Sequence, residues 1–549
     1  DVYKRQQQID VFKLNHWDNP AKRSSLKWIQ YTMDWHNIVD MPIHHSKAIT
    51  ADQIDTVISY CINDVKSTKK ILYLSKGQID LRRTLTQEYK IDLFSASEPR
   101  ISKELFLYFL SEKTGISKWD LKQLRTYRTE IKFKDIILPY IKFETATFQV
   151  LLDKFNQIVL NPTNTKGGFK YSVKYKGVKT DFGLGGVHGA NASGIYESTE
   201  DMVILSSDVV SYYPNLAIRN KWAPYHLPKE TFCELYEWFF DERKKISKKD
   251  PKNYVYKIIL NSTYGLSNDE NSFLYDPEFT MRITVNGQLS LMMLYEMICE
   301  EIPDVMPIMQ NTDGLETMIP RKYYDKYMEI CARWEKITNL QLEHDTYSKL
   351  MLGDVNNYIG VNEKRKIPQE VYEELKQKNP YDIYEVIDGE YYFSPTKCKG
   401  RFEFANLALH KNKSFLIIPK AIFMYFVHGI KPEDYVAECD NIFDFCGGVK
   451  IKGSWDFYEH KIKDGTYVQD KLQETIRYYV SNKGSKIIKH NHNDHREIQV
   501  EAGKWLQTVY VKHDEKDISE YDINMSYYLE KIYKEIRSLE PVVTQLKLF

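Results

Sequence analysis

Two aspartates stand far apart in this sequence, each inside a short run with unusual neighbours: Asp208-Val-Val-Ser-Tyr-Tyr-Pro-Asn215 and Asn311-Thr-Asp-Gly314. Between them lies Lys257-Ile-Ile-Leu-Asn-Ser-Thr-Tyr-Gly265, which sets Lys257, Asn261 and Tyr264 at i, i+4 and i+7 on one helix face. Separated carboxylates, a cationic helix face and a tyrosine beside the first acid are what metal-assisted nucleotidyl transfer uses. That chemistry takes two Mg²⁺ ions, one activating the attacking oxygen and one holding the leaving pyrophosphate. Mg²⁺ demands hard oxygen ligands and takes only one or two carboxylates beside water and phosphate. Read singly, each aspartate is equally a turn former, and Tyr213 equally a buried ring before Pro214.

The elements that must position these residues are legible in outline. Val203-Ile-Leu-Ser-Ser207 reads as a buried strand leading into Asp208. Val305 to Gln310 and Leu315 to Ile319 read as a hairpin with Asn-Thr-Asp-Gly at its tip, so adjacent strand ends would bring Asp208 and Asp313 together. Pro228 to Lys249 reads as one amphipathic helix, Asp250-Pro251 as a turn and Tyr254 to Tyr264 as a second helix. Residues from Ser25 to about 75 read as mainly helical, with Thr50 capping a helix through Ile54, Val57, Ile58 and Cys61. Residues 168 to 189 are Gly-rich, and beyond Arg365 no period is obvious.

At 549 residues several domains are expected. Charge is balanced, 76 basic against 76 acidic residues, which counts against a nucleic-acid footprint spread over the whole surface but not against a local one. Local clusters exist at Arg243-Lys-Lys245 with Lys248 and Lys249, and at Lys397, Lys399 and Arg401. The 41 tyrosines suit base stacking and plain packing alike. Seven scattered cysteines with no Cys-x-x-Cys pair argue against a disulfide framework or a zinc ribbon and fit a reducing cytoplasm. No apolar stretch is long enough for a membrane span, so no membrane partner is expected. His490, His492 and His495 share their loop with Asn491, Asn493, Asp494 and Arg496 and read as a solvated polar loop rather than a metal site.

The three segments resemble motifs A, B and C of the family B DNA polymerases. The resemblance runs from about residue 17 to the end and is specific between Leu184 and Tyr358. It implies an α+β right-hand polymerase, with an antiparallel palm, short helical fingers and a mixed thumb, preceded by the C-terminal remnant of an RNase H-like 3′–5′ exonuclease domain. The expected spans are 7–180 for that remnant and its linker, 181–225 and 265–360 for the palm, 226–264 for the fingers, 361–540 for the thumb and 541–549 for a tail. Residues 1–6 read as an adapter-derived scar, and the chain as truncated at its N-terminus.

The resemblance implies catalytic roles for Asp208 and Asp313, with Asp208, Val209 and Asp313 around two Mg²⁺ ions (Mn²⁺ a possible substitute). It places the nucleotide against Ser211, Tyr212, Tyr213, Arg243, Lys257, Asn261 and Tyr264, with Tyr213 as the ring that excludes a 2′-hydroxyl. It places DNA against Gly185, Gly186, Gly265, Thr284, Gly287, Tyr358, Lys397 and Lys399. Three departures stand out. Motif C has Asn311 where the family has Asp. Ile283-Thr-Val-Asn-Gly-Gln288 ends in Gln where Arg is usual, and Asn356-Asn-Tyr358 replaces Lys-x-Tyr, leaving Lys397 or Lys399 to supply the cation.

Tyr60 and Asp64 match the third exonuclease motif, but no Asp-x-Glu precedes them, so exonuclease activity is expected to be absent. The gaps of 49 residues from Asp208 to Lys257 and 56 from Lys257 to Asp313 leave no room for protein-priming insertions. The last residues, Gln545, Leu546, Lys547, Leu548 and Phe549, resemble a peptide that binds bacterial sliding clamps. The expectation is a monomeric phage DNA polymerase working in a bacterial cytoplasm on primer–template DNA and deoxynucleoside triphosphates. The alternatives are a non-catalytic, clamp-tethered DNA-binding protein and a metal-dependent nuclease.

Overall fold

The computed structural model describes residues 8–41, 43, 46–163, 169–463, 466–509 and 517–540. The chain divides into two compact units, residues 1–95 with 400–538 and residues 96–399 with 539–549. The first unit joins an N-terminal segment to residues 400–538, and its bounds differ from the expected spans 7–180 and 361–540. Among the described residues no helix is long and apolar enough to cross a membrane.

The second unit is built on a ten-stranded sheet: β1 (Tyr171–Tyr175), β2 (Val178–Phe182), β3 (Val187–Ala190), β4 (Gly194–Glu197), β5 (Met202–Val209), β6 (Met306–Gln310), β7 (Gly314–Pro320), β8 (Leu342–Asp354), β9 (Asn357–Asn362) and β10 (Thr396–Cys398). The order is β10-β9-β8-β5-β7-β6-β3-β2-β1, with β4 on the far half of β8. Every pairing is antiparallel. The Gly-rich segment near 168–189 therefore forms strands. In β2, Val178, Thr180 and Phe182 point inward while Lys179 and Asp181 point out, the period of a half-buried strand.

Side chains alternate across β5. Ser207 faces the helix Tyr324–Thr338, sharing its hydroxyl with Tyr327 Oη at 2.7 Å and His344 Nδ1 at 2.8 Å. Ile204, Ser206 and Asp208 face the other way, and Ile204 joins a cluster with Met318, Tyr347, Leu350, Leu352 and Tyr358. Four helices frame the end of β5 that carries Asp208: α1 (Tyr212–Arg219), α2 (Lys229–Lys245), α3 (Pro251–Leu266) and α4 (Pro277–Glu301). The turn at Asp250-Pro251 is an N-cap, with the Asp250 carboxylate accepting from Lys252 N at 2.8 Å and Pro251 opening the helix. The α2–α3 pair is closed by Tyr236 Oη donating to Leu260 O at 2.8 Å. It packs on the helix Glu98–Thr114 through Phe106, whose ring centroid lies 5.1 Å from Phe232 and 5.7 Å from Phe239.

In the first unit the helix Ile54–Leu74 follows a capping box between Thr50 and Gln53. Its buried residues are Asn63, Ser67 and Ile71, whereas Ile54 and Ile58 are each half exposed. The helix runs through Ile54, Val57, Ile58 and Cys61 as the spacing predicts, but none of these four is buried. Residues 33–50 carry no helix among those described, so the helical expectation for 25–75 holds for Leu26–Thr32 and from Ile54 onward. The two halves of this unit are tied by buried Arg477, which donates to Trp35 O at 2.9 Å and Tyr31 O at 3.1 Å. Each bond satisfies a carbonyl that burial has stripped of water.

Candidate active site

Asp208 sits inside β5 rather than just past it, opposite Gly314 in β7. Val209 N donates to Asp313 O at 2.8 Å, which fixes the hairpin tip against the strand end. Asp208 near the end of β5 and Asp313 at the tip just before β7 are thus held side by side. Gly314 is the reason the pair fits: a Cβ there would overlap Asp208 Oδ1 and lie 2.9 Å from its Cγ.

Asn311 has a structural use. Its side-chain carbonyl accepts from Asp313 N at 3.1 Å and Gly314 N at 3.0 Å, and Asn311 N donates to Gly314 O at 3.0 Å. This Asx turn shapes the tip and leaves Asp313 exposed. An amide does this as well as a carboxylate does, and it adds no further negative charge.

Negative charge is concentrated here. Burial, and then the Asp313 carboxylate, push the Asp208 pKa up to about 6. Glu343 lies directly across from Asp208 on β8. Glu316, which the sequence reading missed, is fully buried one strand pair further along, opposite Ser206. Its Oε1 accepts from Ser206 Oγ at 3.3 Å and its Oε2 is buried with no hydrogen-bond partner, so burial followed by repulsion from Asp208 moves its pKa to about 8. Lys397 of β10 answers this charge. It shares the Asp208 face of the sheet, lies 5.6 Å from the Tyr358 ring centroid, and its charge acts on both Asp208 and Glu316.

Beside the aspartates opens a cleft of about 520 Å³. Asp208, Asp313 and Glu343 lie on one side of its chemistry, and Arg243, Lys244 and Lys248 on the other. Arg243 donates to Ser211 Oγ at 3.3 Å, whereas Lys245 pairs with Glu242 at 2.8 Å and points elsewhere. Ser211 holds a left-handed conformation, φ 45°, turning the chain sharply from β5 into α1. Asn253 closes the cleft floor by donating to Arg243 O at 3.0 Å and Ile246 O at 2.9 Å, a role that only tertiary packing reveals.

The remaining candidates sort by exposure. Lys257, Asn261 and Gly265 lie on the exposed face of α3, with nothing within 4 Å of where a Cβ at 265 would be, but Lys257 is outside the cleft lining. Tyr264 meets the Tyr213 ring edge-on at 4.8 Å. Tyr213 is buried, donates to Gly185 O at 2.7 Å, and has Gly287 beneath it, where a Cβ would come within 3.0 Å of the ring. A Cβ at Gly186 would come within 2.8 Å of Thr312 Oγ1 and 3.3 Å of Tyr213 Oη, so the Gly-rich segment, the Asn311–Gly314 tip and Tyr213 meet at one point. The Tyr212 ring is buried and donates to Gly287 O, which leaves only its backbone for a ligand.

The Thr284 side chain is buried inside α4. Gln288, in place of the usual Arg, is buried as well and accepts from Gly183 N at 3.3 Å, tying the Gly-rich segment to the helix. Tyr358 is buried, whereas Lys399 is exposed and its backbone N donates to Tyr358 O at 2.9 Å.

In the first unit, the Asp64 carboxylate is bound by Lys27 at 2.5 Å and Gln30 at 3.0 Å, with Lys27 4.4 Å from the Tyr60 ring centroid. An ammonium already neutralises that acid. His490 and His492 pair with Glu497 at 3.3 Å and Asp456 at 2.9 Å, as surface groups do. Gln545, Leu546, Leu548 and Phe549 lie outside the described residues.

Among the described residues no group of three or more His, Cys, Asp or Glu side chains is arranged to hold a metal ion. The Asp208–Asp313 pair with the Val209 backbone is a smaller set, of the size and hardness Mg²⁺ takes when phosphate and water complete its shell. The mutual repulsion of the two acids is what a divalent cation would relieve. The residues fit such an ion.

No family model and no curated protein matches this sequence. Among solved structures it is similar to a family B DNA polymerase from the hyperthermophilic archaeon Pyrobaculum calidifontis, at TM-score 0.39 and 13% identity, over 97% of this chain and 63% of that one. The chain therefore spans less than two thirds of that protein's length.

Proposed function

We propose that this chain is a template-directed DNA polymerase that extends a primer 3′ end with deoxynucleoside triphosphates. The observation that carries the reading is the meeting of Asp208, at a strand end, and Asp313, at a hairpin tip, in a cleft also lined by Arg243, Lys244 and Lys248. Asp208, Asp313 and the Val209 carbonyl would hold two Mg²⁺ ions, whose charge would favour deprotonation of the primer hydroxyl and departure of pyrophosphate. Arg243, Lys244 and Lys248 draw the triphosphate in; the planar Arg243 fork, braced by Ser211, orients it. Tyr213, pinned by Gly185 and flanked by Tyr264, offers a rigid surface for the sugar of the incoming nucleotide. The chain's zero net charge is compatible with this, because Arg243, Lys244 and Lys248 make a local cationic patch where phosphate would lie.

Purified protein with a labelled primer–template, Mg²⁺ and deoxynucleotides is expected to lengthen the primer, and Asp313→Ala to lose this by at least roughly 10³-fold. Extension by Asp313→Ala at the wild-type rate sinks the assignment. Shortened primers would point to a nuclease, and binding without any product to a non-catalytic DNA-binding protein. Tyr213→Ala is expected to raise ribonucleotide incorporation roughly 10- to 100-fold relative to deoxyribonucleotide, read by alkali-sensitive product.

The finer reading is a phage family B enzyme primed by nucleic acid, without exonuclease activity, acting as a monomer in a bacterial cytoplasm. The segment Gln545–Phe549 would tether it to a sliding clamp. The Lys27–Asp64 ion pair supports the loss of exonuclease activity, since the acid is already satisfied.

A further inference from the structure

A second cleft of about 380 Å³ lies in the same unit, away from Asp208 and Asp313. Tyr225 stands at it with 82% of its surface exposed, which is unusual for an aromatic side chain held on ordered backbone. The backbone is ordered because Tyr225 N donates to the buried Asp276 carboxylate at 2.9 Å. Arg128 sits with its guanidinium carbon 5.5 Å from the Tyr225 ring centroid. That guanidinium is itself clamped, 3.2 Å from Asp276 and 3.1 Å from Glu278. Glu278 also receives Arg282 at 2.8 Å. A ring and a guanidinium are thus fixed side by side with the ring still open to solvent.

The charge left unpaired favours an anion. Arg128 and Arg282 are matched by Asp276 and Glu278 in the cleft lining and Lys221 by Glu237 at 2.9 Å, which leaves Lys229 of the lining cations. Lys229 is exposed and has no acidic partner among the described residues. An apolar ligand would leave these cations desolvated, and a bare phosphate would leave the ring unused. A nucleobase on the ring with its backbone phosphate near Lys229 uses both.

The cleft connects to the active site through two rigid elements. α1 begins beside Asp208 and ends just before Lys221, a span of roughly 12 Å at helical rise, or three to four stacked bases. α4 opens with Glu278 and Arg282 in the cleft and reaches Gly287 under Tyr213. We propose that this cleft binds an unpaired nucleic-acid strand, stacking one base on Tyr225 close to where the duplex would enter the active site. The placement rests on the polymerase reading; the single-strand binding does not.

The test uses the full chain and a short fluorescent oligothymidylate, followed by anisotropy without nucleotides or metal, so that loss of catalysis leaves the readout unmoved. Tyr225→Ala is expected to weaken binding about tenfold, and Tyr225→Phe, which keeps the ring, to bind as wild type. Lys229→Glu is expected to weaken binding as well and to flatten its salt dependence. Because both side chains are exposed, melting temperatures should match wild type. Undiminished binding by Tyr225→Ala overturns the proposal, as does equal loss with Tyr225→Phe. It is also overturned if an acidic peptide of equal charge binds as tightly and depends equally on Tyr225. Should wild type fail to extend primers while Tyr225-dependent binding persists, the polymerase reading falls and the single-strand site stands.

Discussion

Asp208→Asn is expected to abolish primer extension, by at least roughly 10³-fold, and at the same time to raise the melting temperature of the metal-free protein. Both effects come from one arrangement. Asp208 is partly buried beside Asp313, with Glu343 opposite and Glu316 beneath the same sheet face, and its pKa rises from 3.8 to about 6. The folded chain therefore holds this proton more tightly than the unfolded chain does. Stability contributed by protonation is present below about 4 and is lost as pH rises through about 6. At pH 8 the wild type carries the full repulsion, and the Asn variant does not. Melting curves at pH 5 and pH 8 without divalent cation should show a gap between the two proteins that widens at the higher pH. A variant less stable than wild type at pH 8 would refute the repulsion account. Mg²⁺ should narrow the gap by stabilising wild type alone, a readout independent of turnover.

Gly314→Ala is expected to reduce extension about a hundredfold and to cost about 1–3 kcal/mol of stability. The added methyl has nowhere to go, since it would overlap Asp208 Oδ1 and sit 3.3 Å from the Ser207 carbonyl. Gly314 is extended strand, so the cost is contact and not backbone strain. Either the Asp208 carboxylate swings away from its position beside Asp313, or β7 separates from β5. Gly265→Ala is the matched control: it sits in a helix with open space around the added carbon and should keep or slightly raise the denaturation midpoint. Equal midpoints for Gly314→Ala and wild type would mean that the carboxylate does not rest over that glycine.

The short motifs carried more of the site than the composition did. The buried apolar run opening Val203–Ser207 and a turn-forming tip at Asn311–Gly314 were enough to expect a strand and a hairpin, and antiparallel pairing then brought the aspartates together. The α2–α3 pair was equally legible, because Asp250-Pro251 is both a helix stop and an N-cap. The Gly-rich segment 168–189 was not, since glycine masks the strand alternation that β1 to β3 show once paired. The helix at Ile54 was legible but its buried face was not, because spacing reports periodicity and not which partner is present.

By itself, the sequence determined which residues are candidates for chemistry: two carboxylates, a cationic helical hairpin and a tyrosine two residues into a turn. Local rules suffice for that, because strand, hairpin and cap are decided within a few residues of each other. Tertiary structure alone decided that Asn311 spends its amide shaping the tip, that Gly314 makes room for Asp208, and that Lys397 reaches the acids from the sheet edge. It also decided the burial of Glu316 and the union of residues 1–95 with 400–538. Those facts depend on pairings between distant segments, and the free energy of a buried charge is set by what surrounds it in space, which no local window of sequence contains.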